Sequence, residues 1–152
     1  MERSAADANL SNHAPPGPGR PVGHAAIARV ARERPATAAV SCVGRQLTYA
    51  ELDSAANKLA QQLRRSGVQP GSPVAILLDR SVEMVVAVLA VLKAGCAYLP
   101  IDVAYPPARV AYLMNDAGAA AVISTERDRS TLPGAGELVI SLDGDREAIA
   151  AQ

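Results

Sequence analysis

Apolar positions along this chain switch between two periods, and the switching predicts its elements. From Val22 to Arg34, Ile27, Val30 and Ala31 recur at helical spacing, and Pro35 ends the run. Ala38 to Val43 reads as a short strand, Gly44-Arg45 as a turn, and Gln46 to Thr48 as a second extended piece. Thr48 then opens the clearest helix. Thr48 and Glu51 make a Thr-x-x-Glu capping box, in which each side chain satisfies a free backbone N–H of the first turn. Leu47 and Leu52 stand where a hydrophobic staple places them. Leu52, Ala55, Ala56, Leu59 and Leu63 share one face, and Asn57, Lys58, Gln61, Gln62, Arg64 and Arg65 the other. Gly67 suits a left-handed helix end.

The middle of the chain is apolar without alternation. Val74 to Leu78 predicts a strand, and Ser81 opens a helix that is apolar nearly all round from Val82 to Leu92. Lys93 in its last turn complements the helix dipole, and Gly95 ends it. Ala97 to Ile101 is a further strand. A helix from Pro107 through Leu113 stops at Gly118, and strands follow over Ala119 to Ser124 and Leu138 to Leu142. Strands that are apolar on both faces and alternate with helices predict an α/β fold, with a mainly parallel sheet covered by helices on both sides. No internal repeat is visible.

Composition narrows the function. Of 152 residues, 49% are hydrophobic and 20% charged, which fits one globular core. Residues 1–21, with Pro15, Pro16, Gly17, Pro18, Gly19 and Pro21, form a Pro/Gly-rich leader expected to be disordered; residues 22–152 are one domain portion. Fifteen basic residues balance fifteen acidic ones, which argues against a nucleic-acid partner. The longest apolar run, Met84 to Leu92, is far short of the ~20 residues of a membrane span, and no secretory signal is visible. A cytoplasmic location is therefore expected. Cys42 and Cys96 are well separated, without zinc-ligand spacing, and read as reduced core thiols.

Candidate chemistry is sparse. The two strand-to-helix turns, Leu78-Asp79-Arg80-Ser81 and Asp102-Val103-Ala104-Tyr105-Pro106, lack Gly and carry acids that repel phosphate. Asp79 and Arg80 are a pair at a strand end, or simply a solvated turn capped by Ser81. Asp102, just past a strand's C-terminal end, lies where ligands gather on open α/β sheets. Lys93 is accounted for by the helix dipole. His13 sits in the leader, and His24 at a helix start with no acid or base partner. Gly134-Ala135-Gly136 precedes a strand and reads as a turn. Asp143-Gly144-Asp145 lacks the further ligands of a calcium loop. No catalytic, cofactor-binding or metal-ligating residue is assigned.

Three stretches carry a resemblance: Leu47-Thr-Tyr-Ala-Glu-Leu52; Leu92-Lys-Ala-Gly-Cys-Ala-Tyr-Leu-Pro-Ile-Asp102; and Tyr105-Pro-Pro-Ala-Arg109 followed by Val110-Ala-Tyr-Leu113. Leu77-Leu-Asp-Arg-Ser81 adds to them. In this order the chain, from about His24 onward, resembles the N-terminal part of the amino-acid adenylation domains of nonribosomal peptide synthetases, within the adenylate-forming (AMP-dependent synthetase/ligase) family. Val103 stands where that family usually has Pro, and Pro107-Ala108-Arg109 replaces the commoner Ala-Glu-Arg. The resemblance implies part of a large N-terminal subdomain. For the whole family it implies ATP and Mg, and transfer of the activated amino acid to a carrier-protein domain. It also implies that the phosphate-binding loop, substrate pocket and catalytic Lys follow Gln152. This chain is thus expected to bind no cofactor, to be inactive alone and to need the rest of the domain as partner. A fatty- or aryl-acid ligase and a non-catalytic interaction module completing a split domain are the alternatives.

Overall fold

A computed structural model describes residues 23–132 and 138–152. The expected disordered leader, with His13, and the expected Gly134-Ala135-Gly136 turn lie outside the described residues. Helix α1 (Gly23–Glu33) precedes an antiparallel hairpin of β1 (Ala38–Cys42) and β2 (Arg45–Thr48). Helix α2 (Tyr49–Arg65) leads into β3 (Pro73–Leu77), α3 (Val82–Lys93), β4 (Ala97–Ile101), α4 (Pro107–Ala117) and β5 (Ala121–Ser124). A 3-10 turn over Glu126–Thr131, strand β6 (Val139–Ser141) and α5 (Arg146–Ala150) complete it.

The hairpin turn lies one residue earlier than the sequence predicts. Val43 (φ 44°) and Gly44 (φ 75°) both have positive φ, as a two-residue turn that follows strand twist requires. A β-branched residue at the first of these positions is strained. At the start of α2, the Thr48 N–H donates to Glu51 Oε2 at 2.8 Å and the Glu51 N–H donates to Thr48 Oγ1 at 3.3 Å. The Thr48 backbone bond, then its hydroxyl, hold the Glu51 carboxyl below its ordinary pKa.

The main sheet has the order β4-β3-β5-β6, with every pair parallel. Period two divides its central strands between two cores. Val74, Ile76, Leu78, Ala121, Ile123 and Ile140 face α2 and α3, where Leu52, Ala56, Leu59, Leu63, Ala87, Leu89, Ala90 and Val91 cover them. Ala75, Leu77, Ile101 and Val122 face Val110 and Met114 of α4. The doubly covered parallel sheet is as the unalternating apolar strands imply.

One expectation is corrected. Helix α3 is not enclosed all round. Val82, Ala87, Leu89, Ala90 and Val91 are buried, but Val85 is 38% exposed and Val86 half-buried. The helix packs on the sheet and against α2, so its far side meets solvent despite its composition. Apolar residues on a surface are common, which is why composition alone overestimates burial.

Candidate functional site

The parallel order places one crevice at the C-terminal ends of β3 and β4. Strand β3 connects through α3 to β4 on one side, while β5, on its other side, continues to β6. Connections that leave in opposite directions open a gap at the strand ends, where ligands of open α/β sheets bind. A cavity of about 610 Å³ lies there, lined by Leu78, Asp79, Arg80, Met84, Asp102 and Tyr105 among others. The structure thus brings together Asp79, Arg80 and Asp102.

Each acid in the crevice is already engaged. Asp79 Oδ2 accepts from Arg127 Nη2 at 2.6 Å, an exposed pair that ties the end of β3 to the segment after β5. Arg127 also donates from Nε to Asp128 at 3.2 Å. The bonds to Asp128 and then Asp79 raise the Arg127 pKa above its already high value. Burial raises the Asp128 carboxyl, but the bonds from Arg127 and Thr125 outweigh it, and its pKa is lowered. Asp102 Oδ1 accepts from the Ala104 N–H at 2.9 Å, closing the turn on itself. Ser81 caps α3 by accepting from the Met84 N–H at 3.1 Å.

A second acidic knot sits beside it. Asp143 Oδ1 accepts from the Glu126 N–H (2.9 Å), the Ser141 hydroxyl (2.8 Å) and the Gly144 N–H (3.1 Å). These bonds, the Glu126 backbone first, lower its pKa. Asp145 Oδ2 accepts from the Ser141 N–H at 2.8 Å. A Cβ on Gly144 would stand 2.7 Å from Glu126 Oε1, so the glycine permits a close approach. Asp143-Gly144-Asp145 is a hydrogen-bonded turn, as its sequence suggests. Among the described residues, no group of three or more His, Cys, Asp or Glu side chains is arranged to hold a metal ion.

Other candidates lie elsewhere. Lys93 is at the opposite end of α3 from the crevice. Its Nζ contacts Asp53 Oδ1 and Asn57 Oδ1, each at 2.7 Å, so it bridges α3 to α2 as well as complementing a dipole. Among the described residues no hydrogen bond joins His24 to an acid. Cys96 is buried, which raises its thiol pKa, and Cys42 directs its thiol to the Arg80 carbonyl at 3.5 Å; both are free. Sequence reasoning missed Arg127 and Asp128. Their signal is Thr125-x-x-Asp128 immediately after an apolar strand, where Thr125 Oγ1 donates to Asp128 Oδ2 at 2.8 Å.

As a nucleotide site the crevice does not fit. Its turns offer no glycine N–H cradle, and its carboxylates oppose polyphosphate. Asp79 and Asp102 have partners within the chain, so neither is a free ligand for Mg.

Comparison with known proteins identifies the scaffold. The AMP-binding enzyme family matches residues 27–151. The chain belongs to this family. Among relatives of this AMP-binding chain, a linear gramicidin synthase of Brevibacillus parabrevis is 45% identical over 85% of the chain. Phosphinothricin tripeptide synthetase PhsB of Streptomyces viridochromogenes is 50% identical over 66%. The chain spans only 2% of the first of these proteins and 8% of the second. In solved structures, the nonribosomal peptide synthetase FmoA3, bound to α-methyl-L-serine-AMP, superposes with a TM-score of 0.76. It is 39% identical, over 83% of this chain and 15% of FmoA3. The N-terminal subdomain of Klebsiella oxytoca NpsA superposes at 0.69 with 28% identity, over 82% of this chain and 31% of that one. NpsA has also been joined artificially to ThdA as an adenylation–PCP di-domain. No described helix is long and apolar enough to cross a membrane.

Proposed function

We propose that this AMP-binding chain is the opening portion of an amino-acid adenylation unit of nonribosomal peptide synthesis. Residues 22–152 form part of its large N-terminal subdomain, and the chain supplies scaffold rather than chemistry. The carrying observation is the match of residues 27–151 to synthetase sequences, with a strand-end crevice whose acids are internally paired. The whole unit would convert an amino acid and Mg-ATP to an aminoacyl-adenylate and pyrophosphate, then pass the acyl group to a carrier-protein thiol. Identities of 43–52% to peptide synthetases, against 28% to NpsA, favour an amino acid over an aryl acid.

Adenylate formation needs the carboxylate aligned with the α-phosphate and cationic or N–H donors around the departing pyrophosphate. This chain offers neither arrangement, so it forms no adenylate and binds no ATP by itself. The test is exchange of labelled pyrophosphate into ATP across the common amino acids. The 152-residue chain should give background alone. Joined in frame to the rest of an adenylation unit from tyrocidine synthase 3, which is 52% identical over 94 residues, it should give amino-acid-dependent exchange. Exchange by the chain alone, or a folded but silent chimera, overturns the reading.

A further inference from the structure

A second cavity, of about 290 Å³, lies between the β1–β2 hairpin, α2, α3 and α5 and shares no lining residue with the strand-end crevice. Its walls are Leu47, Leu59, Val82, Val86, Leu142 and Ile149, of which Leu59 and Val82 are 1% and 2% exposed. The size is near the lower end of the ~300–1,000 Å³ of small-molecule sites. The mouth carries Arg45, Lys58, Arg146 and Glu83. Three cations against one acid leave it positive.

The cations are not equivalent. Arg45 is neutralised by its ion pair with Glu83. Lys58 commits its ammonium to the Ala150 carbonyl at 2.9 Å. Arg146 is exposed, and among the described residues no carboxylate lies within 4 Å of it. An apolar chamber with one unengaged guanidinium at its mouth suits a ligand with an apolar body and a single negative charge. A carboxylate matches the planar fork of arginine.

We propose that this cleft binds a medium-chain carboxylate, with the tail among Leu47, Val86 and Ile149 and the carboxylate on Arg146. The proposal stands independently of the adenylation reading, because it uses none of that crevice. Octanoate is the probe, octanol its uncharged counterpart, and titration calorimetry on the 152-residue chain the measurement. Octanoate should bind more tightly than octanol. Arg146→Gln should weaken octanoate about two- to fivefold, as expected for one exposed charge pair, and leave octanol unchanged. Ala55→Leu extends a half-buried helical side chain into the chamber and should abolish binding of both while thermal stability holds. No octanoate binding, equal affinity for octanol, or binding that survives Ala55→Leu in a folded protein would each overturn the proposal.

Discussion

Replacing Lys93 separates two accounts of the same side chain. At the end of α3 a lysine complements the helix dipole, an effect of about 0.3–1 kcal/mol. The structure adds a contact across the helix interface, with Nζ at 2.7 Å from both Asp53 Oδ1 and Asn57 Oδ1. The two charged side chains are 11% and 19% exposed. Exposed pairs contribute about 0.2–1 kcal/mol, and breaking a buried pair costs about 3–5 kcal/mol. Asp53 keeps a bond from Asn57 Nδ2 at 3.1 Å, so its carboxylate is only partly orphaned. We therefore expect Lys93→Met to cost about 2–3 kcal/mol, between those limits. That is a melting-temperature loss of about 2–4 °C per kcal/mol for a chain of this size. Asp53→Asn should cost a similar amount, and Lys93→Met with Asp53→Leu should recover most of the loss, because no charge is then stranded. Urea unfolding of the four proteins gives a coupling energy, expected to exceed about 1 kcal/mol. If Asp53→Asn is neutral and Lys93→Met costs under about 1 kcal/mol, the dipole explains Lys93 and the interhelical bridge contributes nothing.

Other expectations follow the same logic. Val43→Asn should raise stability by about 1 kcal/mol in thermal melts, since it relieves positive-φ strain at a side chain that is 95% exposed. Leu89→Ala should cost about 2–5 kcal/mol, whereas Val86→Ala, half-buried, should cost about 1 kcal/mol; equal losses would refute the one-sided burial of α3. The lowered carboxyls of Asp128 and Asp143 stabilise the fold above the unfolded aspartate value of about 3.9, and that contribution is lost as pH falls through their lower folded values. Acid unfolding of Asp143→Asn should therefore be flatter than that of the parent, and an unchanged acid limb would show the knot around Ser141 to be inert.

Local signals were legible wherever one residue type had one physical job. Thr48 and Glu51 foretold the start of α2, and Gly95 and Gly118 the ends of α3 and α4, because caps act within a turn. Unalternating strands foretold a doubly covered parallel sheet. What the sequence concealed depends on distant segments meeting. Arg127 reaches Asp79 from 48 positions away, and Lys93 reaches Asp53 from 40. No periodicity encodes such pairs. The apolar chamber escaped notice for the same reason, since its walls come from separate elements along the chain. The burial of α3 was overread because periodicity reports apolar faces and not which face has a neighbour.

The sheet edge at β4 illustrates how a single residue limits association. An unpaired edge invites another strand, and a sheet that forms part of a larger unit is expected to self-associate. The Ala97 N–H donates to the Ser72 carbonyl, so it points into the sheet. With period two, the N–H groups of Leu99 and Ile101 point inward as well, while positions 98 and 100 point outward. Position 100 is proline, which has no N–H. The outward row of β4 therefore offers one donor, that of Tyr98, and a strand docking there would leave a carbonyl unpaired opposite Pro100. The inward ladder loses nothing, because the proline sits on the side that makes no bond to β3. We expect Pro100→Thr to restore the outward donor, improve β-propensity and raise self-association, seen as concentration-dependent growth in light scattering, with little change in melting temperature at low concentration. If Pro100→Thr and the parent scatter alike over the same range, the edge at β4 is not where association is controlled, and the proline has no protective role there.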